Sequence, residues 1–417
     1  MEPRLLAGPP AASGPERLHD HVARLGRGPV GAAQTRTVIP TLEASGLLGR
    51  GGAGFPVGRK WRTLVERGDR PATILVNAAE GEPLSAKDRT LLRLRPHLVV
   101  DGAFLAADAV DASRVVFYVG SAHHAALASL DGALRERGSL PRPVDIVAAP
   151  DTYVAGEESA AVHFVNEADA RPTTTPPRPY ERGIGGQPTL VQNVESLAQA
   201  ALIGRYGDSW YRGVGRGATP GTALVTVSGS ERDGIREIEI GATIGELAAE
   251  TGAEAGADGP QAVLLGGYFG GWVSAERGWN LALEPLALRA AGSAFGCGVV
   301  AFLGEDRCGV RATSRIMDWM AGQSAAQCGP CVFGLRAIAD ATARVANGTP
   351  EGDELERLRR WAGQVAGRGA CRHPDGAVGQ LLSSLRVFEA EWDRHQRRRS
   401  CSHERSDPSA ERGRAVA

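Results

Sequence analysis

A glycine-rich run near the N-terminus has the composition of a loop that binds a phosphate or a planar ring. Residues 49–54 read Gly-Arg-Gly-Gly-Ala-Gly and are followed by Phe55 and then Lys60. Glycine backbone lets a ring or a phosphate approach the peptide N–H groups closely. Arg50 and Lys60 add positive charge that suits a phosphate. The run therefore predicts a binding loop for a phosphate-bearing aromatic ligand.

The same run satisfies the pattern G-x-G-x-x-G, which is typical of dinucleotide-binding turns. That interpretation requires a β-strand immediately before the first glycine. Residues 37–44 instead have the pattern of a short helix that Gly46 would end. A conventional Rossmann turn is therefore disfavoured, and an ordinary glycine-rich surface loop is the simple alternative.

Three of the six cysteines have a spacing suited to metal. Cys328 and Cys331 form a Cys-x-x-Cys pair, and Cys371 follows later. Together with His373 they could form a tetrahedral Cys₃His zinc site. A redox-active dithiol at Cys328 and Cys331 is a second possibility. The remaining cysteines are expected to be inert packing residues or part of a tail: Cys297, Cys308 and Cys401.

The composition excludes several classes of protein. A chain of 417 residues with 42% hydrophobic and 23% charged residues predicts a globular protein of two to four domains. The net charge of -1 gives no electrostatic reason to expect nucleic acid or a direct membrane contact. Neither a signal peptide nor a membrane span is predicted. The few cysteines indicate the reducing cytoplasm.

The pattern of apolar residues divides the chain into five segments. Residues 1–35 are rich in Pro, Gly and Ala and predict a flexible arm. Residues 36–215 alternate strands with helices, which predicts an α/β domain with a mostly parallel sheet. Residues 216–300 predict a small ubiquitin-like α+β domain, and residues 301–395 predict a bundle of about four helices. The charged residues 396–417 predict a disordered tail.

Four segments resemble a known family in the same order along the chain. The glycine run extends from Ser45 to Trp61, and later segments begin at Asn77, Tyr153 and Gly186. They resemble the cofactor-binding segments of the NADH-oxidising flavoprotein subunit of respiratory complex I. Related diaphorase subunits of bacterial hydrogenases and formate dehydrogenases have similar segments. The resemblance implies an FMN-binding domain, and it implies that the ubiquitin-like domain is of the SLBB type.

The resemblance also implies roles for individual residues. Catalytic residues on the nicotinamide side would be Glu80, Glu82 and Glu158. The residues implied to line FMN are Gly49, Arg50, Gly51, Gly52, Ala53, Gly54, Phe55, Lys60, Asn77, Tyr153, Gly156, Glu157, Val191, Gln192 and Asn193. Simpler interpretations exist, because Glu157 and Glu158 suit the first turn of a helix and Asn77 suits a turn.

In the family, four cysteines hold a [4Fe–4S] cluster. Here Ala325 occupies the first ligand position, so the implied metal ligands are Cys328, Cys331 and Cys371. Three thiolates are compatible with a [4Fe–4S] cluster that has one open iron or with a three-iron cluster. Loss of the cluster from this chain is the other interpretation.

Several positions that hold NADH in the family are changed. Ala79 replaces Asp, Thr63 and Arg178 replace aromatic residues, Thr175 replaces Lys, and Gln192 replaces Asn. Flavin binding is therefore better supported than NADH binding.

The implied function is transfer of electrons from NADH through FMN to an iron–sulfur centre, a partner subunit or a ferredoxin. One alternative is an FMN-containing relay subunit that does not oxidise NADH. Another is a non-redox docking module that uses residues 222–272. Peripheral attachment to a membrane through a complex is compatible with each of them.

Overall fold

The computed structural model describes residues 2–28, 32–68, 71–253, 259–398 and 401. The chain forms two compact units. The first comprises Met1–Gly81, Ser85–Val225 and Ile235–Gly241, and the second comprises Glu82–Leu84, Thr226–Gly234 and Ala242–Ala417.

The first unit is built around a four-stranded parallel sheet with the order β3-β2-β1-β4. Its strands are β1 (Ala72–Ala78), β2 (Ala112–Gly120), β3 (Val144–Ala149) and β4 (Thr189–Asn193). Its helices are α1 (Leu18–Leu25), α2 (Ala32–Ser45), α3 (Val57–Arg67), α4 (Lys87–Leu94), α5 (Pro96–Ala109), α6 (His124–Arg137), α7 (Glu158–Glu167) and α8 (Val194–Arg212). The predicted α/β class with a mostly parallel sheet is confirmed.

Both faces of β1 are buried, which explains its apolar run at residues 74–76, whereas the edge strand β3 is partly exposed. On one face, Ile74 and Phe117 belong to a core that includes side chains of α5 and α8. On the other face, Leu75 and Val116 pack with residues of α7. A Cβ atom on Gly102 would lie 2.1 Å from the carbonyl oxygen of Leu197, so only glycine allows α5 and α8 to approach this closely.

The N-terminal segment differs from the flexible arm predicted for residues 1–35. Leu5 is fully buried, and α1 forms in the same segment. The backbone N–H groups of Arg4 and Leu5 each lie 2.9 Å from a carboxylate oxygen of Glu237. The Arg4 guanidinium stacks over the ring of Trp210 at 3.9 Å. These partners are more than 200 residues away, so the local composition of the segment did not reveal its order.

Strands β5 (Thr222–Ser228) and β6 (Gly234–Glu239) are divided between the two units. They belong to a five-stranded sheet with the order β6-β5-β9-β7-β8, whose further strands are β7 (Pro260–Leu265), β8 (Gly271–Ser274) and β9 (Val299–Gly304). Helices α9 (Ile244–Thr251), α10 (Ala275–Gly278) and α11 (Pro285–Ala290) accompany it. Because β9 runs past residue 300, it crosses the predicted domain boundary there. The SLBB-type assignment stays a prediction.

The C-terminal part of the second unit is helical, as predicted. It contains α12 (Gly309–Gly322), α13 (Arg336–Ala346), α14 (Glu354–Val365), α15 (His373–Val387) and α16 (Glu389–Arg398), with a π-helical turn at Pro330–Leu335. These α-helices outnumber the predicted four because a helix also ends at Phe388, where neither Gly nor Pro marks a helix end.

The predicted tail, 396–417, lies outside the described residues except for 396–398, which continue α16, and Cys401. Among the described residues, no helix is both long and apolar enough to cross a membrane.

Candidate functional site

The parallel sheet of the first unit has a switch point between β1 and β4. From β1 the strand order continues to β2 and β3 on one side, whereas β4 is added on the other side. In open α/β sheets, ligands bind beyond the carboxyl ends of the strands at such a point. Asn77 of β1 and Asn193 at the end of β4 lie opposite each other in register. The topology therefore places two predicted FMN-lining residues where a cofactor is expected.

The two asparagines also hold neighbouring segments in place. The Asn77 side-chain amide donates to the carbonyl oxygen of Gly156 at 2.8 Å. The Asn193 amide donates to Asp88 at 2.6 Å, and its carbonyl oxygen accepts from the backbone N–H of Glu195 at 3.0 Å. The second contact caps α8. The amides thus fix three chain segments around the switch point.

The glycine loop passes beside this switch point with exposed backbone. A Cβ atom on Gly51 would lie 3.3 Å from Cβ of Asn193. Gly52 has φ +106 and Gly54 has φ +65, and a Cβ on either would meet no described atom within 4 Å. The loop lies between α2 and α3 and follows no strand, so the prediction against a conventional Rossmann turn is confirmed.

Arg50 differs from the rest of the loop because its side chain is turned inward. Its guanidinium donates to the Tyr211 hydroxyl and to the carbonyl oxygen of Thr222, both at 3.2 Å. Its Nε lies 3.6 Å from Oε1 of Glu195, and its backbone N–H donates to Ser196 Oγ at 2.9 Å. In this structure Arg50 anchors the loop, whereas the sequence suggested that it would offer charge to a phosphate.

A buried lysine completes the ion-pair network around Glu195. Lys87 Nζ lies 2.8 Å from Oδ1 of Asp88 and 3.0 Å from Oε2 of Glu195. Burial alone would lower the pKa of Lys87, but these two carboxylates outweigh it and raise the pKa. Taken alone, the sequence Lys-Asp-Arg would suggest a solvated face, and no local signal indicates that its lysine is buried.

The first two predicted catalytic acids are both engaged within the protein. The Glu80 carboxylate accepts the backbone N–H groups of Asp88 and Arg89, each at 2.9 Å, and so caps α4. Burial raises the pKa of Glu80, and the charge of Asp88 adds to the increase. Glu82 is buried in the second unit, where its carboxylate accepts the backbone N–H of Tyr268 at 2.9 Å.

The third acid is the most accessible. The Glu158 side chain is 33% exposed, and its Oε2 lies 3.1 Å from Lys60 Nζ. Its neighbour Glu157 caps α7 by accepting the backbone N–H groups of Ser159 and Ala160. Glu158 and Lys60 therefore form an ion pair that solvent can reach, unlike the buried side chains of Arg50 and Glu80.

The other predicted FMN-lining residues take up supporting positions. Tyr153 begins the 3₁₀ turn that leads into α7, and Val191 lies in β4. Gln192 accepts from the indole N–H of Trp61 at 3.4 Å. Phe55 is 48% exposed, which leaves its ring available for stacking.

The altered NADH positions are spread over the first unit. Ala79 is buried, and a Cβ atom on Gly156 would lie 3.7 Å from its own Cβ. Thr63 lines a groove of about 460 Å³ along α2 and α3. Thr175 and Arg178 are exposed.

The predicted cysteine site lies in the second unit. Cys328 precedes the π-helical turn and Cys331 lies in it, and the N–H of Cys331 donates to the Cys328 carbonyl oxygen at 3.2 Å. Burial raises the pKa of the Cys331 thiol to about 12. The Ser324 side chain opposes this shift by a hydrogen bond, and Cys328 and Cys371 reinforce it. Ser324 and Cys328 therefore lie within hydrogen-bonding reach of Cys331, and Cys371 is near enough for its charge to act on Cys331.

The zinc interpretation fits this site less well than a cluster does. Among the described residues, the one group of ligand atoms that all lie within 4.8 Å of one another excludes these three cysteines. A tetrahedral zinc ion needs sulfur atoms about 3.8 Å apart. The additional zinc ligand considered, His373, is buried, and its Nε2 lies 2.8 Å from the Met320 carbonyl oxygen.

Comparison with known proteins identifies the family. The Nuo51 FMN-binding domain model matches residues 42–202, and the NADH-ubiquinone oxidoreductase-F iron-sulfur binding region model matches residues 311–395. The mitochondrial NADH dehydrogenase [ubiquinone] flavoprotein 1 of Dictyostelium discoideum is 30% identical over 371 residues, covering 85% of this chain and 78% of that protein. The chain belongs to the NADH dehydrogenase flavoprotein family.

A further relative and a solved structure are also similar to this flavoprotein-family chain. A component of the NADH-quinone oxidoreductase of Rhizobium meliloti (strain 1021) is 30% identical over 381 residues, covering 87% of this chain and 90% of that protein. A crystal structure of NAD⁺-reducing [NiFe]-hydrogenase in the H₂-reduced state superposes with a TM-score of 0.79 at 27% identity, covering 93% of this chain and 68% of that chain. The predicted family and its FMN and iron–sulfur regions are confirmed.

One group of residues in this flavoprotein-family chain is not apparent from the sequence. Cys308 is buried, as expected of a packing residue, but it is not isolated, because Glu391, His395 and the buried Cys401 lie beside it. The spacing of Glu391 and His395 on α16 was the available signal, because residues four apart share a helix face. Nothing local connected them with either cysteine.

Proposed function

We propose that this chain is an FMN-dependent oxidoreductase subunit in the cytoplasm that takes electrons from NADH. It passes them to an iron–sulfur centre and then to a partner subunit or a ferredoxin. Bound FMN supplies the conversion between two-electron and one-electron transfer. The observation that carries the proposal is the exposed glycine backbone beside the switch point between β1 and β4.

The chain's own residues prepare this site for the flavin. Arg50 and Ser196 tie the loop to α8, and Asn193 packs against its backbone. Exposed N–H groups of residues 51–54 would hold the phosphate, with Lys60 as the nearby accessible cation. A loop that is already fixed loses little conformational entropy when a ligand binds. The buried ion pairs therefore serve cofactor binding by holding the loop in position.

The cysteine site would hold the cluster through three thiolates. Cys328, Cys331 and Cys371 supply sulfur, while the Ala325 side chain has no atom that can ligate iron. Ser324, which contacts Cys331, offers an oxygen next to the missing thiolate. The donor set therefore fits a cluster with one iron position not ligated by cysteine.

A second candidate is a relay subunit that keeps FMN but does not oxidise NADH. It is favoured by Ala79, a buried apolar side chain where the family has a carboxylate. The exposed Arg178 and the half-buried Thr63 likewise replace aromatic stacking residues. Anaerobic addition of NADH separates the candidates, because bleaching of the flavin absorbance supports the first. Bleaching only by a reduced partner supports the second.

Gly52→Leu tests the flavin site itself. The matched control is Gly68→Leu, because Gly68 also has positive φ (+73) and a Cβ there also meets no described atom within 4 Å. Both variants strain the backbone, but only the first covers the proposed flavin surface. We expect Gly52→Leu to purify with less than about one-tenth of the wild-type flavin. Equal flavin stoichiometry in both variants would contradict the assignment.

A further inference from the structure

Four side chains of the second unit converge on one point that is separate from the predicted iron–sulfur ligands. They are Cys308, Glu391, His395 and Cys401, and their ligand atoms all lie within 4.8 Å of one another. Both thiols and the imidazole are buried. Cys308 precedes α12, Glu391 and His395 lie one turn apart on α16, and Cys401 follows α16. Distant parts of the chain therefore meet in one polar group.

The tautomer of the histidine is fixed by its surroundings. Nδ1 of His395 lies 3.1 Å from the carbonyl oxygen of Val345, and a carbonyl can only accept, so Nδ1 carries a proton. In the neutral ring, Nε2 then carries a lone pair. It faces Oε1 of Glu391 at 3.2 Å and Sγ of Cys308 at 3.5 Å. Two lone pairs this close repel each other unless a proton or a cation lies between them.

The measured distances between ligand atoms of these four residues are close to the edges of the tetrahedron that surrounds a zinc ion. Zinc bonds to S, N and O imply edges of about 3.3 Å between nitrogen and oxygen and about 3.5–3.8 Å where sulfur is involved. The nitrogen–oxygen edge from His395 to Glu391 is 3.2 Å. Oε1 of Glu391 lies 3.8 Å from Cys308 Sγ and 3.7 Å from Cys401 Sγ. Four of the six separations among these atoms are therefore close to the edges that one zinc ion requires, and all four atoms lie within 4.8 Å of one another.

Neighbouring groups contact the four proposed ligands and orient them, as is usual around a metal site. The Arg311 backbone N–H donates to Cys308 Sγ at 3.4 Å at the start of α12, which orients the sulfur. The second oxygen of Glu391 lies 3.9 Å from Arg394 Nε, which leaves Oε1 for the ion. The Val345 carbonyl oxygen orients His395. Such contacts fix the orientation of metal ligands and tune their basicity.

We propose that Cys308, Glu391, His395 and Cys401 bind a structural zinc ion. Two sulfurs, one imidazole nitrogen and one carboxylate oxygen form a closed four-ligand set of the kind that zinc prefers. Binding releases the two thiol protons, and no electron is transferred. The ion joins the beginning of α12 to α16 and to Cys401. The proposal is independent of the flavin and iron–sulfur assignments.

Metal analysis of the full-length chain tests this proposal. The protein is purified with reductant from zinc-supplemented cells, and its zinc is measured by mass spectrometry and by X-ray absorption at the zinc edge. We expect about one zinc per chain with two sulfur and two nitrogen or oxygen neighbours. Cys401→Ser and His395→Gln should each lose most of this zinc. Cys297→Ser, a cysteine outside the cluster, should retain it.

Three results would overturn the proposal. They are absence of zinc from the wild type, unchanged zinc in Cys401→Ser, and loss of zinc in Cys328→Ser instead. A Cys308–Cys401 disulfide in zinc-free protein would also contradict the zinc proposal. Peptide mapping without reductant detects this disulfide. If His395→Gln fails to fold, Cys401→Ser decides alone. An unchanged far-ultraviolet circular dichroism spectrum then shows that this variant is folded.

Discussion

The proposed flavin region of the first unit (residues 49–54) and the proposed cysteine region of the second unit (Cys328, Cys331 and Cys371) would present different parts of the polypeptide to their cofactors. The flavin region offers exposed glycine backbone, while its charged residues Arg50 and Glu80 are turned inward and hold loops and helix ends. In the cysteine region the proposed ligands are side chains. A substitution in the first region therefore acts mainly through structure, whereas one in the second acts directly on ligation.

The largest effect is expected where a buried charge supports the flavin region. Lys87→Met leaves the carboxylates of Asp88 and Glu195 without their ammonium partner. An uncompensated buried charge should lower the free energy of unfolding by about 3–5 kcal/mol. The midpoint of thermal unfolding should fall by roughly 10 °C.

The control for this prediction is Arg336→Met in the second unit. Arg336 pairs with Asp318 and Asp340 at the surface, where such pairs contribute less than about 1 kcal/mol. Similar midpoints for both variants, measured by differential scanning calorimetry, would show that the buried pairs do not support the first unit.

Arg50 and Lys60, the two cations of the flavin region, should differ in their effects on stability and on FMN binding. Arg50→Met removes a buried anchor and should lower the free energy of unfolding by about 2–3 kcal/mol. Lys60→Met, at a partly exposed pair with Glu158, should change it by less than about 1 kcal/mol. Lys60→Met should instead weaken FMN binding about tenfold, because it removes accessible charge near the phosphate.

Titration of the apoproteins with FMN, together with thermal unfolding, measures both quantities. The interpretation of Arg50 as an anchor fails if Arg50→Met unfolds like the wild type. The interpretation of Lys60 fails if its variant binds FMN with unchanged affinity.

Much of the fold could be predicted because its signals are local. The alternation of strand and helix patterns over residues 36–215 predicted an α/β domain, and elements such as β1 and α5 follow it. The glycine loop and the Cys-x-x-Cys pair could also be recognised, since each is contained in a short segment. Elements of this kind carry their own pattern regardless of tertiary contacts.

The direction of charged side chains could not be predicted. Arg50 and Lys60 were both expected to offer charge to a phosphate, yet only Arg50 is buried, because Glu195 and Tyr211 provide partners from α8. Cys308 and Cys401 were missed for the same reason. Their proximity depends on how α12 and α16 pack, and no residue near either cysteine encodes that packing.

A third prediction concerns the NADH positions and rests on the proposed function. Ala79→Asp restores the carboxylate found in the family, and one charge-assisted hydrogen bond contributes about 1.5 kcal/mol. The KM for NADH should therefore fall about tenfold. Ala79→Asn is the matched control, because it has the same shape without the charge. A wild-type KM in the low-micromolar range, or equal values for both variants, would contradict the argument from lost contacts.

The smallest change in folding stability is expected for Ala325→Cys in the cysteine region. Ala325 is a half-buried loop residue, so the free energy of unfolding should change by less than about 1 kcal/mol. Ala325→Cys supplies the fourth thiolate and should convert an oxygen-sensitive cluster into a four-iron cluster that survives air. Ala326→Cys is the control, since Ala326 has φ +55 and is not the ligand position.

Iron and sulfide analysis with electron paramagnetic resonance, before and after air exposure, measures this difference. An air-stable four-iron signal in the wild type would show that another group, such as Ser324, completes the ligand set. If neither the wild type nor Ala325→Cys contains iron after anaerobic purification, this chain does not assemble a cluster. The cysteine region would then hold no redox cofactor, in contrast to the flavin region.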